Sequence, residues 1–258
     1  MKSPLNKRLF RELRGEFGKY LVIFILMTLT IGMVSGFLVA DGSMIQAYEE
    51  SFEKYNIENG HFRTEKKMNN AQIQDIEDLG IKLYENYYVE EALTNGSTMR
   101  IFKNRDEVNK VCLMKGKMPE KPGEIGIDRM YADNNDLSVG DEIESGGYTW
   151  KITGLVALSD YSALFSNNND SMFDSVKFGV SVVCPEEFDS YKADQLNYSY
   201  AWKYNTEPKN EKAEKDISED LMEDVAKEVT LEEFVPRYTN QAIIFTGDDM
   251  GGDRSMMI

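Results

Sequence analysis

YLVIFILMTLTIGMVSGFLVA, from Tyr20 to Ala40, carries no charge and separates a basic leader from an acidic remainder. At about 1.5 Å per helical residue its 21 residues reach roughly 31 Å, which matches a hydrocarbon core of about 30 Å. Twelve of them are Leu, Ile, Val or Phe. At roughly −0.3 to −0.6 kcal/mol each, these favour insertion by about 4 to 7 kcal/mol with no charged side chain opposing them. The stretch predicts a transmembrane helix over residues 20–40.

The leader sets the orientation. Residues 1–19 hold six basic residues against Glu12 and Glu16, a formal +4, so a chain of net −16 carries −20 after the span. Positive charge beside a span stays inside, which places the N-terminus in the cytoplasm and the main domain outside the plasma membrane. A cleaved signal peptide is the competing reading, with Val34 and Gly36 as a weak cleavage site. The apolar run is longer than the roughly 7 to 15 residues usual for such a peptide, and this favours an uncleaved helix.

Two patterns refine that helix. Thr28, Gly32, Gly36 and Ala40 recur every fourth residue and set a stripe of small side chains on one face, as helices packed in lipid use. The stripe suggests helical partners, either a second copy or paralogue or further spans; the plain alternative is that glycine is common in membrane helices. Upstream, Leu5, Leu9, Leu13 and Phe17 share one face, with Lys7, Arg8, Arg11 and Arg14 elsewhere. Residues 1–19 therefore read as a basic amphipathic helix on the inner membrane surface, or as an ordinary positive flank.

Beyond the span, residues 41–55 continue as a helical stalk with Met44, Ile45, Tyr48 and Phe52 on its apolar face. Residues 56–250 form the main domain, long enough for a buried core. Its acidity argues against nucleic-acid binding. Cys112 and Cys184 lie in apolar strand-like runs and read as buried free thiols rather than a disulfide pair.

Within that domain, Asn69–Leu79 reads as a short helix capped by Asn69 or Asn70 and ended at Gly80. Ile81–Leu93 and Thr98–Phe102 flank Asn95-Gly96, a two-residue hairpin signal. Strands follow at 111–114, 124–127, 141–144 and 148–156, with a helical turn at 128–134. A polar loop at 166–171 precedes strands at 175–184 and 198–204, with a short helix opened by Pro185. Glu207–Val229 is a charged helix with Ile217, Leu221, Val225 and Val229 at four-residue spacing. Strands, hairpins and helices in this mixture predict an α+β fold. The chain closes on GDDMGGDRS and Met256-Met257-Ile258, so residues 251–258 are expected to begin a second span of a longer membrane protein.

No catalytic, cofactor or metal site emerges. There is no GxxxxGK[ST] phosphate loop, and His61 is the single histidine, with no nucleophile elbow to serve. Zinc ligand sets are lacking. Asp133 with Asn135, and Asp248-Asp249 with Asp253, offer oxygen near glycine but miss the EF-hand spacing. Asn95, Asn169 and Asn197 match the glycosylation pattern, which three chance matches in an Asn-rich chain would also give. The chain is expected not to be an enzyme.

The most specific text is MKGKMPEKPGEIGIDRMYADNNDLSVGDEI, Met114–Ile143, followed by YTWKITGLV, Tyr148–Val156. It resembles the extracytoplasmic core domain of FtsX/MacB-like ABC transporter permeases, with Lys117 where that family more often has Arg. Gly116, Pro119, Gly123, Glu124, Gly140, Asp141 and Gly154 carry the resemblance as fold markers. It implies a mixed α/β domain of the MacB periplasmic-core type behind one N-terminal transmembrane helix. It also implies a permease subunit that binds no ATP itself, partners a cytoplasmic ABC ATPase, and transmits the motion of ATP hydrolysis to the outer domain. A single-span anchored sensor or binding module without an ATPase is the alternative.

Overall fold

The computed structural model describes residues 14–244, so most of the leader, the GDDMGGDRS turn and the segment expected to start a second span lie outside the described residues. Helix α1, Phe17–Lys54, contains one stretch long and apolar enough to cross a membrane, Phe17–Ala40, with a mean hydropathy of 2.4. The chain divides into two compact units between Tyr48 and Glu49. In the first, the apolar side chains from Leu21 to Val39 are exposed, and no hydrophobic core among the described residues covers them.

The second unit is built on two sheets. The smaller has the order β11-β1-β10-β2 and is antiparallel throughout, with β1 Gly60–Thr64, β2 Ile81–Glu85, β10 Tyr198–Tyr204 and β11 Leu231–Pro236. The larger has seven strands. Its path runs β3-β4-β9-β6-β8-β5, with β7 also pairing β8. Here β3 is Tyr88–Ala92, β4 Thr98–Lys103, β5 Val111–Gly116, β6 Glu124–Asp128, β7 Glu142–Ser145, β8 Tyr148–Leu158 and β9 Phe178–Val183. The β4/β9 and β6/β8 pairs are parallel.

The described residues of the unit also include the helices α2 Asn70–Glu77, α3 Arg129–Asn134, α4 Pro185–Phe188 and α5 Glu211–Glu228. Asn69 caps α2 with a full capping box, its side chain accepting from Ala71 and Gln72 while Gln72 accepts from the Asn69 amide. Asp128 caps α3 from the end of β6, and its burial raises the carboxyl to about 6.

The dry core follows strand periodicity. Successive side chains of a strand point to opposite faces, so Phe62, Tyr200, Trp202 and Phe234 meet on one side of the smaller sheet. Trp202 stacks on Phe234 at 4.8 Å between centroids and Phe62 on Tyr200 at 5.6 Å. Each such pair adds about 0.5–1.5 kcal/mol beyond its buried area. In the larger sheet Ile125, Ile127, Ile143 and Ile152 are buried as strand residues facing the core.

Several expectations need correction. Ile81–Leu93 is two strands, β2 and β3, which leave Asn86 and Tyr87 to cross from one sheet to the other. The β3–β4 hairpin is wider than two residues: Leu93 donates to the Ser97 carbonyl, so Thr94, Asn95 and Gly96 form the tip, with Gly96 at φ +81°. On α5, Ile217 points to solvent, while Glu214, Ser218, Leu221 and Val225 face inward. Glu214 reaches Arg237 and Ser218 meets the Tyr238 hydroxyl, so polar partners take the inward place expected of Ile217, while Leu221 and Val225 are buried as expected and Val229 packs against the core. Both cysteines are free, but Cys112 is half-buried on β5 with its sulfur accepting from the Tyr55 hydroxyl, and only Cys184 is buried.

Candidate functional site

The second unit holds a polar cleft of about 760 Å³. One face of the smaller sheet forms its floor: His61 and Arg63 alternate with the core-facing residues of β1, joined by Ser199 of β10 and Glu233 of β11. Tyr88 and Glu90 of β3 and Thr98, Arg100 and Phe102 of β4 form one wall. The loop from Asp160 to Asp174 closes the other side.

That loop is held at both ends of its arc. The Ser162 hydroxyl donates to the carbonyls of Ala242 and Ile243, and Asn168 donates to Thr239 while accepting from Gln241. Arg100 grips it from β4, donating to the Tyr161 hydroxyl at 2.7 Å and the Ser166 carbonyl at 2.8 Å. The same guanidinium donates to Glu90 at 2.9 and 2.7 Å and lies over the rings of Tyr88 and Phe178. One arginine thus links β3, β4, β9 and the loop.

Behind the floor runs a buried network. Arg105 forms a two-pronged pair with Asp160 at 2.8 and 2.7 Å and also donates to Asn86. Asn109 donates to Glu58 at 2.6 Å and returns its amide oxygen to the Glu58 backbone N–H. Glu58, wholly buried, meets His61 Nδ1 at 2.6 Å. Burial disfavours the charged forms of both, yet each partner outweighs it. Glu58, helped by Glu233 and Asp160, raises the imidazole above its ordinary value. His61, Asn109 and Arg105 hold the Glu58 carboxyl below its own. His61 Nε2 has no partner among the described residues, and a quarter of the side chain (24%) is exposed.

Most charges of the cleft are already matched internally. Arg100 is matched by Glu90, Asp160 by Arg105, and His61 by Glu58; Arg63 pairs with Glu232 and has Glu233 at 3.7 Å. No group of metal-ligating residues occurs among the described residues.

The residues singled out from sequence lie elsewhere. Gly116, Gly123 and Gly140 have positive φ, which glycine alone adopts without strain. At Gly116 and Gly154 an added Cβ would press on the carbonyls of Thr153 and Lys117 respectively. The Glu124 carboxylate accepts the Glu120 amide, Asp141 accepts the Ser138 amide, and Pro119 packs near Gly126. All seven markers shape the β5–β8 block and none lines the cleft. Thr28, Gly32, Gly36 and Ala40 lie on α1 and are exposed, and a Cβ added to either glycine would meet nothing within 4 Å. Asp133 and Asn135 sit around the end of α3, with Asp133 beside Arg129 and the Asn135 amide donating to the Tyr131 carbonyl.

Sequence alone gives His61 no role, because no nucleophile accompanies it. Its partner stands three residues earlier, and the glutamate at i−3 is the one local signal of the pair. Asn109, Asp160 and Arg105 lie 44 residues or more further along the chain, and no spacing rule connects them.

No family model and no curated protein matches this chain. Among solved structures it is similar to the periplasmic region of MacB from Actinobacillus actinomycetemcomitans. That likeness has 11% identity and a TM-score of 0.35, over 66% of this chain and 85% of the other. It is also similar to the extracellular domain of the noncanonic ABC-type transporter YknZ from Gram-positive bacteria, at 11% identity and a TM-score of 0.32, over 67% of this chain and 98% of the other.

Proposed function

We propose that this chain belongs to an FtsX/MacB-like ABC transporter permease subunit, anchored by α1 with its β-rich unit outside the cell. The observation that carries the reading is the Met114–Val156 block. The residues that resemble the permease pattern occupy the turns and strands of one contiguous β5–β8 unit, where backbone geometry calls for them. The apolar 24-residue stretch of α1 and the basic leader before it support the membrane placement.

In this reading a cytoplasmic ATPase subunit binds and hydrolyses ATP, and the chain transmits the resulting motion outward. It has no catalytic role of its own. A second permease copy or paralogue packs on the membrane helix through Thr28, Gly32, Gly36 and Ala40. No nucleic acid takes part.

The test is co-purification of the protein, expressed from its full reading frame, with the ATPase encoded beside it, followed by an ATP hydrolysis assay. Stable association and hydrolysis altered by the permease are expected. A protein that recovers no ATPase would instead be a single-span anchored module. Topology is checked separately with Met172→Cys, at a site 80% exposed. A membrane-impermeant maleimide should label it on intact cells; labelling only after lysis would reverse the orientation.

A further inference from the structure

We propose that the cleft on the open face of the smaller sheet is a binding site for a neutral oligosaccharide. This goes beyond the permease reading and does not depend on it.

The cleft's charges are consumed by one another, as the His61–Glu58, Arg100–Glu90 and Arg105–Asp160 pairs show. Of the lining groups that remain, most are neutral, with His61 Nε2 and the Lys177 ammonium as charged exceptions. The hydroxyls of Tyr88, Thr98 and Ser199 and the side-chain amide of Asn169 have no hydrogen bond among the described residues. Each hydroxyl can donate or accept, and an amide does both at once. A ligand that meets these groups must itself present several uncharged donor–acceptor groups, which is the chemistry of sugar hydroxyls. Two rim charges without an ion pair, Lys177 and Asp174, are of opposite sign, and Asp174 already accepts the Val176 and Lys177 amides.

Size is compatible with such a ligand. Ligand clefts commonly enclose about 300–1,000 Å³, and this one lies inside that range at about 760 Å³. The strands that supply the floor and wall, β1 and β4, are hydrogen-bonded on both sides, to β10 and β11 and to β3 and β9. β3 and β11, which also line the cleft, are outer strands of their sheets, so an extended peptide is the competing occupant that the titration separates. On β1 and β4 recognition comes from side chains, which suits a compact ring with radiating hydroxyls. Arg100 and the buried network hold the walls in place before any ligand arrives, which lowers the cost of ordering.

The experiment is titration calorimetry on the full 258-residue chain in lipid nanodiscs, free of sugar detergents. The probes are maltotetraose, tetra-N-acetylchitotetraose, tetralysine and tetra-alanine. At least one saccharide should bind saturably, with affinity changing less than about 2-fold between roughly 50 and 500 mM salt because no ion pair forms. Tyr88→Phe, Thr98→Val and Ser199→Ala should each weaken it about 2- to 10-fold, the loss of one neutral hydrogen bond, with thermal stability unchanged. The proposal is overturned if neither saccharide binds up to about 10 mM, weaker than which no useful site exists. Saccharide binding indifferent to all three substitutions overturns it as well. So does tetralysine or tetra-alanine binding that the three substitutions abolish, which would make the cleft a peptide site. No ATPase is needed for the titration, so its failure leaves the permease reading standing, and the reverse also holds.

Discussion

The two faces of the four-stranded sheet are opposites made from the same strands. On β1, Phe62 points into stacked aromatic rings that exclude water, while His61 and Arg63 point into a wet cleft walled by charge. The dry face is held by area and shape, and the wet face by matched partners. One five-residue strand therefore serves the core and the candidate site at once, because its side chains alternate with a period of two. Damage to the two faces should accordingly differ in kind: loss of packing on one, unpaired charge and pH sensitivity on the other.

Trp202→Ala attacks the dry face and should have the largest effect, about 3–5 kcal/mol, since Trp202 is fully buried against Phe62 and Phe234. Denaturant unfolding of the full chain measures it. A loss under about 1 kcal/mol would mean that the aromatic stack does not hold the sheet together.

Arg105→Met attacks the wet face from behind. It leaves Asp160 buried without its two-pronged partner and should cost about 3–5 kcal/mol at neutral pH. The double change Arg105→Met with Asp160→Leu should recover much of that loss, whereas no such rescue exists for Trp202→Ala. Equal losses in the single and double variants would erase the distinction between the faces.

A smaller effect comes from pH. The folded imidazole of His61 titrates above its ordinary 6.5, so the pair's contribution is fully present below 6.5 and is lost as pH rises through the raised value. Glu58 is lowered from 4.5, so its contribution is present above 4.5 and is lost as pH falls through the depressed value. Both are complete between 4.5 and 6.5. Asp128, raised from 3.8 to about 6, also loses stability with rising pH, but that loss is finished near neutrality. Melting temperatures taken from about pH 7 to pH 9 therefore isolate His61: they should fall in the parent chain and stay flat in His61→Gln. An identical slope in both would remove the imidazole from the network.

Ser199→Ala should be the mildest change, within about 0.5 kcal/mol in stability, because its hydroxyl bonds to nothing among the described residues. A larger loss would show that the wet face depends on more than its matched charges.

Much of the fold was legible. The span, the capped helix at Asn70, strand β10 over Tyr198–Tyr204 and the glycine turns of the β5–β8 block all carry local signals strong enough to read. Strands β1 and β11 were missed. GHFRT has one large apolar residue, and LEEFVP carries two acids, so neither shows clean alternation. Each becomes a strand because its partners supply the other half of the core. The cleft was missed for a related reason. Its residues come from segments as far apart as His61 and Ala242, and in a chain of 45 acids no single carboxylate stands out.

By itself the sequence determined that an uncharged 21-residue run suits a bilayer, that an acidic α+β unit follows it, and where glycine must permit a turn. These depend on local chemistry: transfer energy, periodicity and backbone sterics act on neighbours in the chain. Only the tertiary structure decided that Glu58, His61, Arg105, Asn109 and Asp160 form one network and that the opposite face of Phe62's strand opens on a cleft. Pairing of charges and burial of polar groups depend on distance in space, and sequence separation carries no information about it.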